Sequence, residues 1–293
     1  MTERSDLLIT ARELAALLAE AASGAHRVRV LDVRWRLGGP DGRPAYEAGH
    51  IPTAVYVDLH RQLAEVGEPE EGRHPLPSEE RLEANARSWG IDDGDLVVVY
   101  DDNANLAAAR AWWLLRHAGV ETVRMLDGGL GAWVAAGHRL EEGSVEAVRG
   151  SVTLRYGRLG VLSMDEAGDF PRRGVLLDAR AQERYRGESE PIDARAGHIP
   201  GALNSPTTAN VDEAGLFLDA DTLRERFAAL GVTDDVPVAT YCGSGVTAAH
   251  NAAALMLAGF EPALYPGSWS QWSQHPDAPV ATGEEPGHVL PPE

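Results

Sequence analysis

"YEAGHIPTAV" at 46–55 and "ARAGHIPGAL" at 194–203 are two versions of one phrase, and their separation decides the fold. Each is preceded by a short apolar run ending in Leu-Asp: "VRVLDVRW" at 28–35 and "VLLDARAQERY" at 175–185. Each is followed by a second apolar run that leads into an alanine-rich stretch, "DLVVVYDDNANLAAARAWWLLRHAGV" at 95–120 and "PVATYCGSGVTAAHNAAALMLAGF" at 237–260. The copies close on "LDGGLGAW" at 126–133 and "YPGSWSQW" at 265–272. Order and spacing agree at offsets of roughly 140 to 148 residues, well beyond the ~20–50-residue period of solenoid repeats. The chain therefore reads as two copies of one domain, and 293 residues suffice for two separate cores.

Each copy alternates short strands with helices. The runs ending at Asp32 and Asp178 read as buried strands that deliver an acid to a loop. Gly-His-Ile-Pro marks a turn, because proline removes a donor and restricts its predecessor. Helices are expected over 78–89 and 221–230, and strands over 96–100 and 236–241. A further helix in each copy is closed by Gly119 or Gly259. This pattern specifies the α/β class, a parallel sheet flanked by helices, twice over. The expected boundaries are 1–141 for the first domain, 142–160 for a linker and 161–293 for the second domain. The Pro- and Gly-rich tail from 273 reads as disordered or as a strap across the partner domain.

Composition excludes several classes of function. A hydrophobic fraction of 44% with 24% charged residues is that of a globular protein. The N-terminus "MTERSDLLIT" is charged and no apolar run approaches membrane-spanning length, so a cytoplasmic location is expected. The formal charge of -19 disfavours nucleic acid and anionic membranes as partners. One cysteine, Cys242, can form neither an internal disulfide nor a thiolate metal site.

Duplication separates what serves the fold from what serves chemistry. His50 and His198, Asp32 and Asp178, and Arg34 and Arg180 occur in both copies and read as turn and strand-end bonding. At the strand-to-helix turn the copies diverge, with Asp101 in "YDDNANLAAARA" where Cys242 stands in "YCGSGVTAAHNA". Both positions precede a helix N-terminus, which favours negative charge, but only a thiolate is a good nucleophile. The first copy should then be inert and the second active. Gly243 and Gly245 let the backbone curl so that successive amides can point inward at the sulfur, a nest that favours an anion. Ser244 and Thr247 add hydroxyl donors. The plain alternative is a buried Cys242 that acts as a small hydrophobe.

Taken together, "CGSGVTA" after a buried strand and "LDAR…RYRG…AGHIPGA" before it resemble the tandem-domain sulfurtransferases of the rhodanese and mercaptopyruvate sulfurtransferase family, over about 8–272. The resemblance implies two rhodanese-like domains, of which only the C-terminal one is catalytic. It also implies a ping-pong transfer of sulfane sulfur from thiosulfate or 3-mercaptopyruvate, through a Cys242 persulfide, to a thiol or cyanide acceptor, with no metal or organic cofactor. The resemblance further implies that the loop amides of Gly243, Ser244, Gly245, Val246 and Thr247 stabilise that persulfide. Arg184 in "RYRG" matches the family arginine that binds the donor's anionic group. Ile192 stands where mercaptopyruvate-type members carry a second arginine, and Arg195 is the nearest substitute. The family's first-domain Asp-x-Asp pair reads here Asp58-Leu59-His60, which gives His60 the second place. His74 in "RHPLP" matches the first-domain cleft histidine.

Two other readings compete. A cysteine phosphatase needs C-x5-R, and position 248 is alanine. A non-catalytic rhodanese-like scaffold often loses the cysteine or fills its loop with bulky side chains, whereas this chain keeps Cys242, its glycines and Arg184.

Overall fold

The apolar runs of each copy become the inner strands of two parallel sheets in a computed structural model that describes residues 3–21 and 27–288. The first sheet comprises β1 (Leu8–Ile9), β2 (Val28–Asp32), β3 (Val55–Tyr56), β4 (Leu96–Tyr100) and β5 (Val123–Leu126), in the order β1-β5-β4-β2-β3. The second comprises β6 (Gly160–Val161), β7 (Val175–Asp178), β8 (Leu203–Asn204), β9 (Val238–Tyr241) and β10 (Ala263–Leu264), in the order β6-β10-β9-β7-β8. The two orders are the same order. All pairings are parallel, which requires cover on both faces and explains the unbroken apolar character of "LVVVY" in β4.

The chain falls into two compact units, the first of Met1–Glu65, Pro77–Leu159 and Val211–Phe217, the second of Val66–Leu76, Gly160–Asn210 and Leu218–Glu293. Around the first sheet Ile9, Val30, Val98, Tyr100, Leu126 and Trp133 form a buried cluster. Around the second, Phe170, Leu176, Ala239, Tyr241, Trp269 and Trp272 do the same. Helix Glu79–Ser88 is capped by the Ser78 hydroxyl and helix Ala220–Ala228 by the Asp219 carboxylate, each accepting an amide of the first turn.

The duplicated residues serve the fold as expected. His50 Nδ1 lies 3.0 Å from the Tyr46 carbonyl and His198 Nδ1 lies 2.8 Å from that of Tyr185. Each ring stacks on the same tyrosine. Arg34 grips Asp32 and Arg180 grips Asp178 at the strand ends, at 2.6 and 2.7 Å.

Three boundaries differ from expectation. The stretch expected as a linker, 142–160, is hydrogen-bonded along the first unit, with the amides of Val152 and Arg155 donating to the carbonyls of Ile91 and Ala118, and its last residue opens β6. The tail straps its own unit rather than the partner domain: Ala281 bridges His198, and the Gly283 amide donates to Arg186. Val66–Leu76, which carries His74, packs with the second unit although it lies inside the first repeat.

Candidate active site

Cys242 leaves the C-terminal end of β9, beside the loop that leaves β7. From β7 the chain moves outward to β8, and from β9 it moves outward to β10 on the other side, so a crevice opens between them. Ligand sites of open parallel sheets form at such a switch in strand order.

The equivalent loop in the first unit shows what this backbone binds. Asp101 is fully buried, and its carboxylate accepts the amides of Asn103 at 2.7 Å, Asn105 at 2.8 Å, Ala107 at 2.8 Å and Ala108 at 3.0 Å. Burial pushes its carboxyl upward against the pull of those four donors. With Tyr100 aligned on Tyr241, the matching amides in the second unit belong to Ser244, Val246, Ala248 and Ala249. The Ala249 amide turns to the Val246 carbonyl at 3.2 Å. Among the described residues no protein acceptor takes the amides of Gly243, Ser244, Val246 or Ala248. A thiol stands where the twin loop holds a carboxylate, and it leaves the donors unfilled.

Gly245 supports this curl with φ +74°, a left-handed conformation matched by Ala104 at +54° in the first unit. Gly243 does not share that reason. Its φ lies outside the left-handed region, and it is small because space is short: a β-carbon there would lie 3.2 Å from Arg73 Nη2 and 3.4 Å from Arg184 Nη1. Val246 is buried, and Thr247 opens the helix Thr247–Leu257. Cys242 is only 1% exposed, more enclosed than an open turn implies. Enclosure lowers the local dielectric, in which an amide–anion contact is stronger than in water.

The floor of the loop is held by the last helix of the second unit. Ser268 Oγ accepts the Cys242 amide at 3.1 Å and donates to the Tyr265 carbonyl at 2.9 Å. Trp269 and Ser270 donate their amides to the carbonyls of Cys242 and Gly243 at 2.9 and 2.7 Å. Ser268 sits at φ +55°, where the first repeat has Gly129 at +57°. A serine held in a glycine conformation marks a constrained site. Ser244 Oγ is 2.8 Å from His74 Nδ1, and both residues are buried, which places His74 at the loop from within the second unit.

Charge gathers above Gly243. Arg184 is 14% exposed and donates to Glu190 Oε1 at 2.7 Å, Glu190 Oε2 at 2.9 Å and Asp193 Oδ2 at 3.2 Å. Arg73 donates through Nη1 to the other oxygen of Asp193. Arg180 joins at 3.3 Å from Glu190. Burial opposes charge on Glu190, but the hydrogen bonds from Arg184 and from the amides of Asp193 and Ile192 outweigh it and hold the carboxyl below the usual range. For Asp193, burial wins over the neighbouring guanidiniums and pushes the carboxyl up.

The remaining expected residues have partners of their own, Arg195 in the second unit and Asp58 and His60 in the first. Arg195 is not a substitute for the missing arginine, because its guanidinium is spent on the carbonyls of Trp272, Ser273, His275, Pro276 and Ala278, at 2.6 to 3.4 Å. Asp58 caps the short helix Leu59–Gln62 by accepting the Arg61 amide at 3.1 Å. His60 Nε2 accepts from Trp35 Nε1 at 2.8 Å, and with Asp58, Trp35 and Tyr56 it lines a cavity of about 270 Å³ in the first unit. Ile192 is exposed. Residues that sequence reasoning passed over are Arg73, Glu190, Asp193 and Ser268. The "SWS" that replaces "GLG" in the closing motif signalled the last of these.

Comparison with known proteins finds matches over both units. The model of the rhodanese-like domain matches twice, at residues 10–136 and 162–275. The chain is 45% identical over 289 residues to the putative thiosulfate sulfurtransferase SseB of Mycobacterium tuberculosis, covering 97% of this chain and 99% of that protein. It is 46% identical over 292 residues to a probable 3-mercaptopyruvate sulfurtransferase of Pseudomonas aeruginosa, covering 94% and 98%. Among solved structures, the crystal structure of SseA from Escherichia coli, described as a 3-mercaptopyruvate sulfotransferase with a rhodanese fold, superposes with a TM-score of 0.79 at 34% identity, covering 89% of this chain and 98% of that one.

Proposed function

The chain belongs to the rhodanese-like family, and from that premise we propose how its second unit carries sulfur: Cys242 is the nucleophile, and the amides of Gly243, Ser244, Val246 and Ala248 in its loop hold the sulfur anion. It is a sulfurtransferase. The Cys242 thiolate attacks the outer sulfur of a small donor and a new S–S bond forms. With thiosulfate the donor's own S–S bond breaks and sulfite leaves with the electron pair. With 3-mercaptopyruvate the C–S bond breaks, and the enolate that leaves takes up a proton to become pyruvate. An acceptor thiolate or cyanide then attacks the outer sulfur and Cys242 departs as thiolate.

The observation that carries this reading is the pair of loops. The turn that binds the Asp101 carboxylate through four amides recurs at Cys242, where the amides of Ser244, Val246 and Ala248 have no protein acceptor among the described residues beside a sulfur that becomes anionic in both half-reactions. Arg184 is placed to take the donor's anionic group through a charge-assisted, planar contact. Ser244 and His74, 2.8 Å apart, give a hydroxyl and an imidazole at the loop for moving a proton to the leaving enolate.

The charges at the loop balance. Arg73, Arg180 and Arg184 face Asp178, Glu190 and Asp193, so no net positive charge waits for a dianion. This favours the monoanionic α-keto acid donor over thiosulfate. A lone reactive thiol suits a reducing compartment, and we place the enzyme in the cytoplasm.

The test is the mass of the intact protein after incubation with either donor. A gain of one sulfur, lost on treatment with cyanide and absent in Cys242→Ser, is the expected result. No gain with either donor refutes the transferase reading and leaves a binding scaffold.

A further inference from the structure

Arg73 has a different setting from the other arginines of the crevice. Arg180 donates to Asp178, Glu190 and the Gly197 carbonyl, and Arg184 donates to both oxygens of Glu190 and to Asp193. Arg73 donates only through Nη1, to Asp193. Its Nε and Nη2 are buried and have no hydrogen-bond partner among the described residues. Buried guanidinium N–H groups left without an acceptor are costly, and native structures rarely keep them without a purpose.

One of those two nitrogens, Nη2, lies close to the residue after the nucleophile. Nη2 would lie 3.2 Å from a β-carbon on Gly243, the residue after Cys242, with Arg184 Nη1 at 3.4 Å from the same point. The backbone that carries Arg73 is fixed. Its amide donates to Ser270 Oγ at 3.1 Å, and the Ser270 amide donates to the Gly243 carbonyl at 2.7 Å. Gly72, at φ +87°, turns the chain against this helix in a space no side chain would fit: a β-carbon there would come within 2.9 Å of the Gly267 carbonyl. Asp193, bound to both Arg73 and Arg184, sets the spacing between the two guanidiniums.

We propose that Arg73 is a substrate-binding residue, which with Arg184 forms a two-guanidinium clamp over Gly243 for the oxyanion group of the sulfur donor, in the role that Ile192 and Arg195 do not fill. The clamp rests on the reading of Cys242 as the persulfide carrier. The ligand chemistry is a compact oxyanion on a small sulfur compound, either a carboxylate or a sulfonate-like group. The free Nε and Nη2 form one edge of the guanidinium, the arrangement that receives two oxygens side by side. It also accounts for Gly243, since a side chain there would occupy the space the oxyanion needs.

In a ping-pong reaction kcat/KM for the donor reports only persulfide formation, and kcat/KM for the acceptor reports only its discharge. Both are measured for wild type, Arg73→Gln and Arg73→Lys, with cyanide as acceptor and with 3-mercaptopyruvate and thiosulfate as separate donors. Arg73→Gln is expected to lower donor kcat/KM by roughly 10- to 100-fold, with Arg73→Lys recovering part of it, while acceptor kcat/KM stays unchanged. A loss confined to 3-mercaptopyruvate assigns the contact to a carboxylate, and a loss confined to thiosulfate assigns it to a sulfonate-like oxyanion. Unchanged donor kcat/KM in both variants overturns the clamp. So does an equal fall in both half-reactions, which would mean that Arg73 only shapes the loop. Should Arg73→Gln fail to fold, Arg73→Lys alone decides: donor kcat/KM equal to wild type overturns the clamp. A wild type that gains no sulfur from either donor refutes the carrier reading itself, a result separable from any behaviour of the variants.

Discussion

Replacing Cys242 with aspartate tests the nest directly, because the sign of the stability change depends on whether the loop amides point at the side chain. An isolated carboxylate at a position 1% exposed would carry a desolvation cost of several kcal/mol with nothing to offset it. In the first unit the same turn gives Asp101 four amide donors at 2.7 to 3.0 Å. Hydrogen bonds to a charged group contribute about 1.5–3 kcal/mol each, so three or four of them offset most or all of that cost. Cys242→Asp should therefore unfold within about 2 kcal/mol of wild type, with Cys242→Ala as the reference for loss of the sulfur alone. The assay is equilibrium denaturation, with thermal melting as a check. At roughly 2–4 °C per kcal/mol for a domain of this size, a Tm within several degrees of wild type is expected. A drop beyond about 10 °C would mean that the carboxylate finds no donors, and the nest in the second unit would have to be abandoned. Turnover should vanish in either case.

Two further outcomes follow from the crevice. Gly243→Ala, whose backbone tolerates a side chain, should displace the Arg73 guanidinium by a few tenths of an ångström and fill space beside Arg184, raising the donor KM roughly tenfold with acceptor kcat/KM unchanged, as two-substrate kinetics would report. Glu190→Gln should destabilise the protein by about 3 kcal/mol near neutral pH, because it leaves Arg180 and Arg184 short of a buried partner. The Glu190 carboxyl is held below its ordinary value, so this contribution is present above the unfolded-state glutamate value and is lost as pH falls through the native one. The gap between wild type and Glu190→Gln in denaturant melts should accordingly close on acidification. Asp193, pushed up by burial, acts with the opposite sign, its share of stability falling as pH rises, and because the Glu190 charge is one of the causes of that rise the variant should lower the Asp193 value as well.

What was legible in the sequence is what local pattern and duplication encode. β4 is the run 96–100 as read, because five consecutive apolar residues of β-forming type suit a strand covered on both faces. β9 begins at Val238 rather than 236, after Pro237, whose carbonyl accepts the Val175 amide. Shared residues such as His198 and Arg180 were separable from Cys242 only because a second copy supplied the control. Residues whose role depends on distant partners were not legible. Nothing in "RHPLP" says that Arg73 meets Asp193, 120 positions away, or that its segment joins the second unit. Arg195 looked like a spare cation because its five carbonyl acceptors come from a turn nearly 80 residues downstream.

The two units differ less in architecture than in what each leaves unmade. Both sheets have the same strand order, both turn at a histidine stacked on tyrosine, and both send the chain from a buried strand through a left-handed residue into a helix. In the first unit the loop is filled: Asp101 takes the amides, and the next residue, Asp102, pairs with Arg36 at 3.3 Å. In the second, a thiol replaces the carboxylate and a glycine replaces its neighbour, so the amides of Gly243, Ser244, Val246 and Ala248 and one edge of a guanidinium stand without protein acceptors among the described residues. Unsatisfied donors lower stability, and a site that keeps them gains only if a ligand or intermediate supplies the missing charge. In the proposed cycle a sulfur anion brings charge to the amides and a donor oxyanion brings it to Arg73. On that cycle the loop fits the anionic sulfur of each half-reaction, which is the direction of fit that accelerates a reaction.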